Sequence, residues 1–114
     1  MKEKEQILLE SAKEYYKSAE TSLKNSQYNS AVVLFFKSLI AFSDLYLLRK
    51  TGESPSSHNA RFRMLQEITL EVYNLVDKDF PFYQDSYVQR MSKELAEVIK
   101  DDARTVAKKM EIEV

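Results

Sequence analysis

The stretch YNSAVVLFFKSLIAFSDLYLLRK, residues Tyr28–Lys50, decides the fold of this chain. Apolar residues occupy most of its circumference, and a narrow polar strip of Ser30, Lys37 and Asp44 recurs every seven residues. A helix with this pattern has to be covered on nearly every side. Because charged residues lie in the middle of the run, the pattern argues against a membrane span. We therefore predict a soluble protein whose other helices wrap around this one.

The composition favours long helices in a single domain. The chain has 114 residues and a hydrophobic fraction of 44%, but only one glycine and two prolines, so breaks in regular structure must be few. Its 17 basic and 18 acidic residues give a net charge of -1. That balance argues against a protein whose main task is non-specific nucleic-acid binding. We predict one domain over residues 1–114.

The absence of cysteine and the single histidine, His58, restrict the possible chemistry. Disulfides, thiolate metal sites and cysteine catalysis are excluded, which is compatible with a reducing cytoplasm. No Glu-x-x-His pair exists for a di-iron bundle, and a single glycine cannot build a phosphate-binding loop. The sequence predicts neither a metal site nor a cofactor.

Periodic apolar residues predict four amphipathic helices. The first spans about Lys4–Lys24, the second Tyr28–Lys50 and the third about Ala60–Val76; the fourth begins near Ser86 and frays by Glu111. Short connections place neighbouring helices antiparallel. The predicted fold class is all-α, an up-down antiparallel bundle of four or five helices.

Local signals mark the first helix ends. Asn25 is expected to take a left-handed conformation and Ser26 to cap the second helix. The basic residues Arg49 and Lys50 followed by Gly52 predict the end of that helix. Either Ser57 or Asn59 can cap the third.

Later in the chain, Pro81 is expected to end the third helix within Asp77–Phe82. Ser86 and Gln89 have the spacing of a capping box for the fourth helix. The predicted buried stripe of the third helix includes Ile68, and that of the fourth includes Val88 and Val98.

The second helix carries two features that need partners. Asp44 lies mid-way along an apolar helix and is expected to pair with a tyrosine hydroxyl or a basic side chain. The apolar surface around Phe35, Phe36, Phe42 and Tyr46 is either covered by the other helices or available as a dimer face.

Four aromatic residues cluster before the last helix: Phe80, Phe82, Tyr83 and Tyr87. Beside Arg90 and Lys93, such side chains can stack a base while the cations hold a phosphate. The same cluster can instead simply close the end of the bundle.

The phrase YKSAETSLKNSQYNSAVVLFFKSLIA, which begins at Tyr16, resembles the first helical pair of the HEPN family. That pair typically reads tyrosine, a small residue with alanine, leucine, and then a short turn with tyrosine and alanine. His58 before the third helix, and Tyr83 and Tyr87 before a last helix reading ELAEVIKDDA, are further points of similarity. The resemblance covers roughly Tyr15 to Val106.

The resemblance implies a compact four- or five-helix bundle, usually a homodimer and in prokaryotes mostly cytoplasmic. Many members pair with a minimal nucleotidyltransferase. A large subset are metal-independent RNases, in which an arginine is followed a few residues later by a histidine.

This chain departs from that RNase motif. After Arg90 the corresponding positions hold Leu95, Ala96 and Glu97, and no arginine precedes His58 at the required spacing. Leucine, alanine or a carboxylate cannot replace an imidazole that titrates near neutral pH. The catalytic role is therefore not transferred, and Arg90 is expected to be a ligand-facing residue.

Three functions are compatible with these patterns. The first is a non-catalytic, HEPN-like homodimer that binds a nucleotide, RNA or a minimal nucleotidyltransferase through Arg90, Lys93, Tyr83, Tyr87 and His58. The second is a divergent, metal-independent RNase of the toxin type that uses His58, Arg90 and tyrosines. The third is an interaction scaffold resembling tetratricopeptide repeats, although no second copy of the helical phrase occurs at the period of those repeats.

Overall fold

The computed structural model describes residues 2–114, which form five α-helices. These are α1 (Lys2–Lys24), α2 (Tyr28–Thr51), α3 (His58–Ile68), α4 (Leu70–Asp85) and α5 (Lys93–Lys109). No strand occurs within residues 2–114. The predicted all-α helical bundle is confirmed, and it has five helices because the predicted third helix is divided.

The central position of α2 is confirmed as well. α1 and α5 make most of the contacts to it, and α3 and α4 cover the rest. Phe35, Leu39 and Phe42 have no exposed surface. α2 is long and apolar enough to cross a membrane, but 72% of its most apolar 18-residue window is buried inside the bundle. This burial is typical of the core helix of a soluble protein.

The surface considered as a dimer face on α2 is already covered within one chain. Phe35, Phe36 and Phe42 are buried, and Tyr46 is half-buried. Of the two alternatives for this surface, coverage by the other helices is therefore the one that the structure shows. Dimerisation itself stays a prediction.

The turn between α1 and α2 uses the predicted residues differently. Ser26, not Asn25, has a positive φ of 58°, and Gln27 occupies the N-cap position without a side-chain capping bond. The Gln27 N–H donates to the Ser22 carbonyl at 2.8 Å, so one left-handed residue closes the end of α1. At the other end, α2 ends before Gly52 as predicted: Gly52 has a φ of 81°, and its N–H donates to the Leu48 carbonyl.

The predicted third helix is interrupted at Thr69, which has an extended backbone. Its N–H donates to the Leu65 carbonyl at 2.8 Å and its hydroxyl accepts from the Val72 N–H at 3.4 Å. Thr69 thus ends α3 and caps α4. The break turns Ile68 out of its predicted stripe, with 43% of its surface exposed. At the start of α3, Ser57 is the cap, as one of the two predicted alternatives had it.

Pro81 does not end a helix, contrary to prediction, but lies within α4. Proline removes the hydrogen bond to the carbonyl four residues earlier, that of Asp77. Both residues are exposed, so the interruption lies on the solvent side. On the inner side, Phe80 and Tyr83 pack against Phe36 with ring centroids 6.0 and 4.7 Å away. This aromatic packing holds the helix together across the proline.

The predicted start of the last helix was also wrong. Ser86 follows the end of α4, and α5 begins after Ser92, whose hydroxyl accepts from the Leu95 N–H at 3.1 Å. Consequently Val88 lies in the α4–α5 connection with 82% of its surface exposed. Val98, on α5, is also exposed, because the face buried against α2 is that of Ala96, Ile99 and Ala103.

The connection between α4 and α5 is fastened to the start of α2 by Asn29. The Asn29 amide donates to the carbonyls of Ser86 and Gln89 at 2.9 and 2.7 Å, and its oxygen accepts from the Met91 N–H at 2.9 Å. One side chain therefore fixes the backbone on both sides of Arg90.

Candidate functional site

A cavity of about 480 Å³ lies between α1, α2, α3 and α4. Its aromatic lining comes from Tyr15, Phe36 and Tyr83. Its charged lining comes from Lys37 and Asp44 on α2 and from Arg61 on α3. His58 lines the cavity beside Arg61. The volume falls in the range of small-molecule sites, which is roughly 300–1,000 Å³.

Asp44 and Arg61 form an ion pair across this cavity. The Arg61 Nε and Nη2 groups donate to the two carboxylate oxygens of Asp44 at 2.6 and 2.9 Å. Both residues are buried, and the expected basic partner of Asp44 is thereby identified. Burial raises the pKa of Asp44, and the bonds from Arg61 oppose that rise. The pair joins α3 to α2.

Arg61 also contacts the only histidine of the chain. Its Nη1 lies 2.8 Å from His58 Nδ1. A guanidinium has donors and no acceptor, so Nδ1 must accept this bond. His58 and Arg61 are three residues apart on α3, a spacing that puts two side chains on one helix face.

The surroundings of His58 favour its neutral imidazole over the charged form. Partial burial lowers its pKa below the ordinary value of 6.5, and the positive charge of Arg61 lowers it further. Asp44 acts in the opposite direction, and Lys37 adds to the lowering. Neutral imidazole with an accepting Nδ1 carries its proton on Nε2.

Aromatic rings form a continuous wall on one side of the cavity. Tyr83 stacks on Phe36 with ring centroids 4.7 Å apart and 18° between the ring planes. Phe80 lies next to both and 5.2 Å from the ring of His58. A planar ligand entering the cavity meets the exposed parts of this wall.

The structure brings three of the five predicted site residues together. Tyr83 and His58 line the cavity. The hydroxyl oxygens of Tyr83 and Tyr87 are 3.1 Å apart, so Tyr87 extends the aromatic wall outward, with 73% of its surface exposed. The bond to Tyr87, followed by burial, raises the pKa of Tyr83.

The other two predicted residues lie elsewhere. Arg90 is exposed in the α4–α5 connection, and Lys93 is the exposed first residue of α5. Neither belongs to the lining of the cavity. The predicted groove that combined them with Tyr83 and Tyr87 rested on a fourth helix beginning at Ser86. Because α5 begins seven residues later, these cations do not reach the cavity.

Sequence reasoning missed Lys37 and Arg61 as site residues. A signal for Lys37 was present, since it shares the polar strip of α2 with Asp44, two helical turns away. For Arg61, the signal was its position three residues after His58. What the sequence could not supply was the packing of α3 across α2.

A second polar cluster lies between α4 and α5, away from the cavity. Asp79 is completely buried, and within residues 2–114 neither of its oxygens accepts a hydrogen bond. Lys78 Nζ lies 3.7 Å from Asp79 and 2.8 Å from Asp102. Burial raises the pKa of Asp79 to about 8; Asp102 adds to this rise and Lys78 opposes it. At neutral pH Asp79 is therefore protonated and can donate to Asp102.

Within the described part of the chain, no group of three His, Asp or Glu side chains is close enough together to hold a metal ion. Comparisons with protein-family models, curated proteins and solved structures find no significant match to this chain.

Proposed function

We propose that this protein is a HEPN-like, non-catalytic binding module that holds a nucleotide, free or at an end or loop of single-stranded RNA. The supporting observation is the combination of cations and stacked aromatics on one cavity, with Arg61 tied to both Asp44 and His58. Aromatic faces accept a base, and cations accept its phosphate. The volume suits one nucleotide unit better than a duplex.

Charge in the cavity favours an anionic ligand. Asp44 neutralises Arg61, His58 is neutral, and within residues 2–114 Lys37 forms no ion pair. The first turn of α3 adds the partial positive charge of its backbone N–H groups, because Ser57 and His58 line the cavity. One uncompensated cation beside a helix N-terminus supports binding of a phosphate rather than of a cationic ligand.

The HEPN resemblance supports the remaining parts of the proposal. A homodimer, a cytoplasmic location and a minimal nucleotidyltransferase partner are what it implies. Tyr87 and Val88 supply exposed apolar surface in the α4–α5 connection, next to Arg90. This connection is our proposed contact with a second protein chain.

Isothermal titration with nucleoside monophosphates and a short single-stranded RNA tests binding, with light scattering on the same sample for the oligomeric state. We expect Tyr83→Ala to weaken binding about tenfold, because base stacking on an aromatic ring contributes roughly 1–3 kcal/mol. Tyr83→Phe keeps the ring and serves as the matched control. Arg90→Ala tests the position predicted from the sequence. If neither the nucleotides nor the RNA bind, the proposal is refuted.

A second candidate is a metal-independent RNase, which the exposed position of His58 and its bond to Arg61 favour. An imidazole with one nitrogen held by a neighbour is positioned for proton transfer at the other. Incubation of RNA with the protein in a chelator distinguishes this candidate. If the unmodified protein cleaves RNA and His58→Ala abolishes the cleavage, the protein is an RNase and not a non-catalytic binding module.

A further inference from the structure

The bonding of Arg61 assigns different roles to the three nitrogen-bearing side chains of the cavity. Arg61 donates from Nε and Nη2 to Asp44 and from Nη1 to His58. Its planar fork, the part of arginine that grips a phosphate bidentately, is occupied by the carboxylate. Arg61 is therefore poorly suited to be the main contact of an incoming phosphate.

Two other groups remain for that contact. Lys37 is exposed, lines the cavity, and has no carboxylate within ion-pair distance in residues 2–114. His58 lines the same cavity from α3 and keeps Nε2–H as its ring donor, since Nδ1 accepts from Arg61. One donor thus comes from α2 and one from α3.

We infer that Lys37 Nζ and the Nε2–H group of His58 together bind a phosphate group in this cavity, and that Arg61 is the positioning residue that holds His58 in the required tautomer. This inference rests on the proposed nucleotide-binding function and names the atoms that serve it. Asp44 acts one step further away, because it fixes Arg61, which in turn fixes the imidazole.

Protonation of His58 opposes this arrangement. A second proton on Nδ1 would place two donors, Nδ1–H and Nη1–H of Arg61, against each other. The titratable and charged groups that line the cavity around His58 come from all four helices and are Tyr15, Lys37, Asp44, Arg61 and Tyr83. Of these only Asp44 is negative, and its charge is taken up by Arg61. The neutral Nε2–H form is therefore the binding form.

The single histidine makes the tautomer directly measurable. In ¹⁵N-labelled protein freed of any affinity tag, long-range ¹H–¹⁵N correlation of imidazole resonances reports on His58 alone. We expect the Nε2–H tautomer near neutral pH. Arg61→Gln should shift the population toward Nδ1–H, an effect that a merely structural role of Arg61 would not produce. An Nδ1–H tautomer in the unmodified protein would overturn the inference.

Phosphate binding is tested with inorganic phosphate, adenosine monophosphate and adenosine on the same sample. We expect the first two, but not adenosine, to shift the His58 Nε2 resonance. Loss of a charge-assisted bond should weaken monophosphate binding about tenfold in Lys37→Ala. Lys13→Ala, at an exposed position on α1, is the matched control and should leave binding unchanged.

Two substitutions at His58 test the role of Nε2 as the phosphate donor while Arg61 stays in place. Glutamine places an amide nitrogen near the position of Nε2, and asparagine places one near Nδ1. We expect His58→Gln to retain most of the monophosphate affinity and His58→Asn to lose it. Equal affinities of the two variants would contradict the assigned donor.

The outcomes separate this inference from the proposed function. Suppose that adenosine monophosphate binds but does not shift the His58 Nε2 resonance, and that Lys37→Ala leaves its affinity unchanged. This result would refute the inference and leave the proposed nucleotide binding intact. Failure of every nucleotide and RNA to bind would refute both.

Discussion

Arg61 donates to the two carboxylate oxygens of Asp44 at 2.6 and 2.9 Å, and this ion pair links α3 to the central helix. α3 is otherwise attached mainly to α4, through Phe62 against Phe80 and Tyr73. The pair therefore matters for stability as well as for the cavity. Because both groups are buried, removal of one partner leaves the other without compensation.

Arg61→Met should destabilise the protein by about 3 kcal/mol, since it leaves the Asp44 carboxylate buried and unpaired. Urea unfolding followed by circular dichroism measures the change. Arg63→Met, on the exposed side of α3, is the control and should cost less than about 0.5 kcal/mol. The double variant Asp44→Leu with Arg61→Met should recover most of the loss. Equal stability of the two single variants would show that the ion pair does not hold α3.

The same Arg61→Met variant should raise the pKa of His58. Partial burial lowers that pKa in the unmodified protein, and Arg61 lowers it further while Asp44 opposes both. Removal of the cation leaves the opposing carboxylate, so the titration midpoint moves upward. The measurement is a pH titration of the imidazole resonances. A midpoint that stays unchanged, or moves down, would contradict the electrostatic role of Arg61.

The raised pKa of Asp79 predicts that the folded protein becomes less stable as the pH rises. Its pKa is about 8 in the folded protein, against 3.8 for an ordinary aspartate, so the folded state binds more protons between these values. The free energy of unfolding therefore decreases as the pH rises through this interval. Asp79→Asn removes the titration, and at pH 8.5 it should be more stable than the unmodified protein by a few kcal/mol.

At pH 5 most of this advantage of Asp79→Asn should be lost, because this pH lies near the lower end of the interval between 3.8 and about 8 across which the free energy of unfolding decreases. Asp77→Asn, two residues away and exposed, is the matched control and should show no such dependence. Thermal unfolding at both pH values gives the comparison. A constant difference between the variants across this range would refute the assigned protonation.

Asn29→Ala should loosen the connection between α4 and α5. The substitution removes three hydrogen bonds, to Ser86, Gln89 and Met91, and should cost about 2 kcal/mol. Amide hydrogen exchange should become faster at residues 86–91 and remain slow in α2. Asn74→Ala, at an exposed position of α4, is the control. Unchanged protection of the connection would show that Asn29 does not fix it.

Much of this fold could be predicted because α2 is unusual in sequence. Its all-round apolar surface demands a covering bundle, and Gly52 and Ser57 carry local signals that the structure uses. The errors occurred where tertiary packing overrides local preference. Pro81 is tolerated in α4 because aromatic rings on the inner side hold both flanks. Ser86 has the spacing of a cap, but the bonds from Asn29 fix its backbone outside α5.

The candidate site was predictable only in part. Tyr83 and His58 were expected to face a ligand, and they share a cavity. Arg61 was not expected there, because its partner Asp44 lies 17 residues earlier and on another helix. Periodicity identifies the face of a helix and says nothing about which helix lies opposite. The pairing of two particular helix faces has to come from the packed structure.

The burial of α2 has a consequence for how the chain is made. Synthesis proceeds from the amino terminus, so α1 and α2 emerge together, whereas the face of α2 that α5 covers stays bare until residues 93–109 have followed. During that interval the nascent chain displays a helix with the length and composition of a membrane span. Chaperones and the membrane-insertion machinery both recognise such segments. The arrival of α5 is therefore the step that completes the cover of α2.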